Sequence, residues 1–184
     1  MPTRKSDLRT LALWAGLTLA LDLVTKTLAL DHISPWKPTA VIPGFFNLVL
    51  TYNTGAAFSI FASDSSPGQG LKMALLSLVS LLPFVYLFLK SKSRDRLFVA
   101  SLGLILGGAL GNIHDRLRWE AVVDFLDFYW GDYHWPAFNV ADIAICVGAG
   151  LLILSILREK PAPANPAGPH NLKEKGGGVP SRPI

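Results

Sequence analysis

One cysteine in 184 residues rules out an intrachain disulfide and any metal site built from several thiolates. Cys146 sits in the run AICVGAG and reads as a small apolar residue in a packed helix. Charge is scarce as well. Asp, Glu, Lys and Arg make up 16% of the chain against 51% hydrophobic residues, a balance that fits neither a disordered chain nor a highly charged soluble domain. Two hydrolase signatures are missing: there is no G-x-S-x-G, and the four histidines include no H-E-x-x-H. The formal charge of +4 comes without a basic stripe interleaved with aromatics, so no nucleic-acid partner is expected. The 13 prolines, 16 glycines and five tryptophans are spread along the chain, against a collagen-like or low-complexity sequence.

What is present is apolar length. A hydrocarbon core of about 30 Å needs about 20 mostly apolar residues per helix. Four segments qualify, at about 8–30, 71–89, 97–113 and 136–157. The basic TRKSDLR ahead of the first resembles the start of a signal peptide, but Asp22 interrupts the apolar run and no clear small-x-small site follows, so a retained helix is expected. The third carries Gly103, Gly107 and Gly111 at four-residue spacing, a seam for close helix packing. Cytoplasmic segments carry the excess of Lys and Arg. Here the N-terminal stretch, the loop after the second span and the tail hold 12 of the 17, the other two connections hold only Lys37, Arg116 and Arg118, and Lys26 and Lys72 lie near helix ends. Both termini are therefore expected on the cytoplasmic side. Trp36, Trp119, Trp130 and Trp135 then fall in the outer connections, where indole rings favour the headgroup level.

The first outer connection, about 31–70, is too long for a plain turn. Within it FFNLVLTYN alternates so that Phe46, Leu48, Leu50 and Tyr52 share a face, and NTG follows as a turn before AAFSIF. The expected fold is a mainly α membrane protein: four transmembrane helices, a small extracytoplasmic β-sheet resting on the membrane surface, and a loop containing a short helix. Residues 1–157 form one membrane domain. Residues 158–184, with six prolines and a GGG run, read as a disordered cytoplasmic tail.

Polar residues gather in the outer leaflet. Asp22 lies in the outer half of the first span, Asn112 at the outer end of the third with Asp115 and Arg116 behind it, and Asn139 and Asp142 near the outer start of the fourth. Asn53 and Asp124 belong to the outer connections. A charged carboxylate inside a bilayer costs about 2.5–3.5 kcal/mol on insertion scales, so an intramembrane Asp is a functional candidate. Two readings of Asp142 compete, a catalytic carboxylate or a helix cap, and Asn139 is the better-placed cap. Asp124 has Asp127 as a close neighbour, and spacing alone leaves its role open. Asp22 and Lys26, one turn apart, either neutralise each other or shape the site from behind. Two carboxylates in a poorly hydrated place share a proton, the arrangement of an aspartic protease. The competing class is a small proton-coupled transporter using those carboxylates as a relay.

NTGAAFS at 53–59, GGALGNIHDRL at 107–117, VVDFLDFY at 122–129 and FNVADIAI at 138–145 together resemble the lipoprotein signal peptidase (signal peptidase II) family, in order and across the whole membrane domain. The resemblance implies a multi-pass aspartic peptidase of the bacterial inner membrane with its active site near the outer leaflet. It would cut the signal peptide from prolipoproteins before a diacylglyceryl-cysteine, without a cofactor and as a monomer. It also implies Asp124 and Asp142 as the catalytic pair, and Asn53, Asn112, Arg116 and Asn139 as lining a substrate pocket that also takes globomycin-type inhibitors. Asp22, Lys26, Gly55 and Asp115 match supporting positions. His114 stands where the family usually has an aliphatic residue, and reads as a polar ring at the headgroup level.

Overall fold

The computed structural model describes residues 4–55, 68–91 and 95–158. In chain order it contains α1 (Arg4–His32), β1 (Thr39–Ile42), β2 (Phe46–Asn53), α2 (Gln69–Ser80), α3 (Leu82–Lys90), α4 (Arg96–Trp119), β3 (Val122–Trp130), β4 (Tyr133–His134) and α5 (Val140–Arg158). Helices α2 and α3 form one span of Gln69–Lys90, making four spans long and apolar enough to cross a membrane. That span breaks at Leu81 because Pro83, in the first turn of α3, has no N–H to continue the ladder. Among the described residues the outer connections contain no short helix. The AAFSIF run and residues 159–184 lie outside the described part.

Helix ends differ from the apolar runs for physical reasons. α4 continues six residues past Ile113, to Trp119, because the polar side chains of its last turns are taken up by protein rather than lipid. Arg116 and Arg118 are thus helical and not loop residues. At the other boundary, residues 136–139 do not join α5. Phe138 instead exchanges backbone hydrogen bonds with Leu126 of β3, at 3.1 and 2.9 Å, leaving Asn139 as the residue that starts the helix.

α4 is the central helix and packs on α1, α2 and α5. The glycine seam behaves as expected: a Cβ on Gly103 or Gly107 would strike α1 at Leu11–Ala15 or Ala15–Thr18, and one on Gly111 would strike the Asp22 carboxyl group. These contacts make α1 and α4 parallel. Gly108 meets Ala141 while Gly148 meets Ser101 and Ile105, so α5 runs antiparallel to α4. A core of Leu81, Phe98, Val99, Leu102, Ile105 and Leu152 fills the far end of the bundle. There Asp95 caps α4 by accepting from Phe98 N (2.6 Å) and also accepts from Ser155 Oγ (3.0 Å). The outward faces are apolar: Leu13, Leu17, Leu21, Val24 and Leu28 of α1 are all at least half exposed, whereas Asp22 and Lys26 of the same helix are buried. Polar inside and apolar outside is the pattern of a helix facing lipid.

The strands form one antiparallel sheet in the order β1-β2-β3-β4. Its middle pair carries a bulge. Leu48 pairs with Leu126 and Thr51 with Asp124, so two residues of β2, Val49 and Leu50, oppose Phe125 alone. One extra residue reverses the faces beyond it. Phe46 and Leu48 share a face, as predicted, but Leu50 and Tyr52 do not continue it. Thr51 and Asn53 do, and they share it with Asp124.

Candidate active site

Three asparagines and two aspartates meet where the sheet covers one end of the bundle. Each comes from a different local device. Asp124 is on β3, held beside α5 by the Leu126–Phe138 bridge, and is 2% exposed. Asn53 reaches it because of the bulge. Asn139 and Asp142 form a reciprocal cap at the start of α5: Asp142 N donates to Asn139 Oδ1 at 3.0 Å, and Asn139 N donates to Asp142 Oδ2 at 3.2 Å. Asp142 is thus a capping residue whose carboxylate also faces the cluster. Asn112 enters from α4.

Each oxygen of the two carboxylates accepts one hydrogen bond from an N–H group. Asp124 Oδ1 accepts from Asn139 Nδ2 at 2.7 Å and Oδ2 from Asn53 Nδ2 at 3.2 Å. Asp142 Oδ1 accepts from Asn112 Nδ2 at 2.8 Å, and its Oδ2 takes the Asn139 backbone N–H. Two of those donors come from Asn139, which among the described residues is the one that hydrogen-bonds both carboxylates. Asn53 is oriented by Gly55, whose N–H donates to Asn53 Oδ1 at 3.1 Å.

Burial pushes the Asp124 carboxyl up to about 7, with the charge of Asp142 adding to the shift. Hydrogen bonds from Asn53 and Asn139 and the charge of Lys26 pull the other way and are outweighed. Asp124 is therefore a carboxyl that exchanges its proton near neutrality rather than in the usual carboxylate range.

Behind the pair lies a buried ionic group. Lys26 Nζ is 2.8 Å from Asp22 Oδ2 and 2.9 Å from Asp115 Oδ2, and it donates to Asn112 Oδ1 at 3.0 Å. Asp22 Oδ1 accepts from Ala141 N (2.9 Å) and Asp115 Oδ2 from Val123 N (3.1 Å). Both backbone donors adjoin site residues, so Asp22 and Lys26 do more than cancel each other's charge: they tie α1 to α5 and β3. Removing one partner of such a buried group costs about 3–5 kcal/mol. Arg116 donates from Nη2 to Gly55 O at 3.3 Å and from Nη1 to Asn112 O at 3.4 Å, while its buried Nε has no partner among the described residues. His114 is partly exposed, with Nδ1 3.4 Å from Asp115 Oδ1.

All ten residues singled out in the sequence therefore lie in one connected region. Asp127, the ambiguous neighbour, faces the opposite side of β3 and is engaged by Asn47 Nδ2 (3.0 Å) and His134 Nδ1 (2.8 Å). Sequence reading missed the backbone N–H groups of Val123 and Ala141, which leave no side-chain signal. It also missed β3 itself, although the β-branched and aromatic residues of VVDFLDFY suit a strand.

The sequence model of the family described as signal peptidase II matches residues 14–158. A lipoprotein signal peptidase of Maridesulfovibrio salexigens is 43% identical over 143 residues, covering 78% of this chain and 92% of that protein. One from Oleidesulfovibrio alaskensis is 44% identical over 146 residues, covering 79% and 93%. Among solved structures, a bacterial membrane enzyme determined by the in meso method is similar with a TM-score of 0.68 and 30% identity, covering 83% of this chain and 94% of that one.

Proposed function

This chain belongs to the signal peptidase II family, and from that premise we propose that it cuts prolipoproteins at the bond preceding a diacylglyceryl-modified cysteine, with Asp124 and Asp142 as an aspartic catalytic pair. Peptidase action on lipoprotein signal peptides and a multi-pass membrane setting follow from the family itself. The finer assignment rests on one observation: two carboxylates bridged by a single buried residue, Asn139, each oriented by two N–H donors from the protein.

In the reaction, ionised Asp142 takes a proton from water as its oxygen attacks the scissile carbonyl carbon. Asp124, protonated, donates a hydrogen bond to the carbonyl oxygen, and the proton then passes to the leaving nitrogen as the C–N bond breaks. Burial of Asp124 supports giving it the proton. Asn53 and Asn139 orient Asp124, Asn112 orients Asp142, and the spare Nε of Arg116 is available to a substrate carbonyl. The lipid chains stay in the bilayer while the sheet covers the reacting bond and limits water. Globomycin-type cyclic peptides would compete for this pocket.

The enzyme acts as a monomer in the inner membrane, with both termini cytoplasmic and the site near the outer leaflet. Helix directions support this, because the start of α1, the end of α3, the start of α4 and the end of α5 share one side, opposite the site. The outer connections retain Lys37 as their sole Lys or Arg. A proton-coupled carrier would need a polar path through both halves of the bilayer, and the hydrogen-bonded network around the pair occupies one end. The test is purified enzyme in detergent with a diacylated and an unlipidated precursor, followed by mass spectrometry. Release of the signal peptide from the lipidated precursor, giving a product that starts at the modified cysteine, is expected. Equal cleavage of both precursors, or cleavage elsewhere, would refute the assignment.

A further inference from the structure

The two ends of an asparagine amide are alike in shape and opposite in function, so a neighbour must decide which end faces a carboxylate. For Asn139 the decider is the Asp142 backbone N–H on Oδ1, and for Asn53 it is the Gly55 N–H. For Asn112 it is a side chain that touches neither aspartate of the pair. The Lys26 ammonium has three donors and no acceptor, and it meets three oxygens: Asp22 Oδ2, Asp115 Oδ2 and Asn112 Oδ1. Asn139 Nδ2 also lies 3.2 Å from Asn112 Oδ1. Turning the Asn112 amide over would set its NH2 against an ammonium and a second NH2, and its oxygen against Asp142 Oδ1.

We propose that Lys26 is a positioning residue for the reaction: by pinning Asn112 Oδ1 it aims the Asn112 N–H at Asp142 Oδ1, and so holds Asp142 in the orientation that accepts a proton from water. This rests on the reading of Asp124 and Asp142 as the catalytic pair. The charged groups around Asp142 are Asp124 on β3 and Arg116 on α4, both electrostatically coupled to it, while Asp22 and Lys26 of α1 reach its neighbourhood through Ala141 N and Asn112. Arg116 donates to Gly55 O and Asn112 O, not to Asn112 Oδ1. Among the described residues only Lys26 and Asn139 hold that oxygen.

The plain alternative is charge balance, because Lys26 sits between two buried carboxylates. K26M alone leaves both unpaired and risks misfolding. K26M/D22N restores the native net charge of the cluster and keeps an acceptor for Ala141 N, but removes the ammonium from Asn112. The variant, in which Asp115 keeps the Val123 N–H but loses its cation, should insert and melt below the native protein; assayed well below that melting point it should show KM unchanged and kcat lowered about 10–100-fold, the range of a hydrogen bond to a charged group. In protein labelled with 15N-asparagine in detergent micelles, the Asn112 side-chain NH2 signal should move. Recovery of native kcat in K26M/D22N, or an unmoved Asn112 signal, would overturn the proposal. The signal is read without turnover, so it separates failure of this inference from failure of the catalytic pair, which shows instead as cleavage by Asp124→Asn or Asp142→Asn.

Discussion

Replacing Asn139 by alanine separates the two jobs of one buried side chain. The side chain is fully buried, its Oδ1 caps α5, and its Nδ2 donates to Asp124 Oδ1 at 2.7 Å. Loss of the cap costs about 1 kcal/mol of stability. Loss of a hydrogen bond to a charged group is worth about 1.5–3 kcal/mol, and one pKa unit corresponds to about 1.4 kcal/mol. The bond favours the ionised form of Asp124, so its removal should raise that carboxyl from about 7 by a further one to two units, roughly. If Asp124 is the acid, cleavage falls as pH rises through about 7 in the native enzyme. In Asn139→Ala the alkaline limb of kcat should move up by about one to two units, and the maximum rate should drop because Asp142 loses its partner in the cap. Stability follows the same sign. Asp124 has a folded pKa above its unfolded one, so its contribution is full below the unfolded value of 3.8 and is lost as pH rises through about 7. The assay is the gel shift of a diacylated prolipoprotein followed across pH, with thermal unfolding in parallel. An alkaline limb that stays in place or moves down would refute the reasoning.

Two further perturbations test the scaffold. Gly111→Ala puts a methyl group into the Asp22 carboxyl, so it should destabilise the protein by about 1–3 kcal/mol and lower turnover; Gly150→Ala, where a Cβ meets nothing within 4 Å, serves as the control and should leave both unchanged. Equal melting temperatures for the two variants would contradict the close approach of α1 to α4. Deleting Val49 removes the bulge but leaves Leu48 opposite Leu126 and Thr51 opposite Asp124, so Asn53 keeps the Asp124 face, whereas Asn53→Ala removes its hydrogen bond to Asp124; turnover should fall in the second variant while membrane insertion persists in both. Native turnover in Asn53→Ala would show that Asn53 does not act on Asp124.

Much of this was legible in the chain because bilayer burial is a one-dimensional signal. Apolar length revealed four spans, and polar residues out of place in them, Asp22, Asn112 and Asp142, marked the polar cluster that the helices and the sheet enclose. Helix ends were less legible, since the last turns of α4 are sheltered by Lys26, Asp115 and Arg116 partners that no apolar count registers. The alternation in β2 misled beyond Leu48, because a bulge is set by the pairing with β3 and not by β2 itself. The roles of Lys26 and Asn139 depend on which atom of an amide faces which neighbour, and sequence carries no record of that.

The most direct measurement is turnover of a diacylated prolipoprotein by purified Asp124→Asn and Asp142→Asn, each with its fold checked by thermal unfolding. Both variants replace a carboxylate oxygen by an isosteric NH2 and should fold, yet neither should release signal peptide. Cleavage at a native rate by either variant would remove that residue from the chemistry and contradict the account.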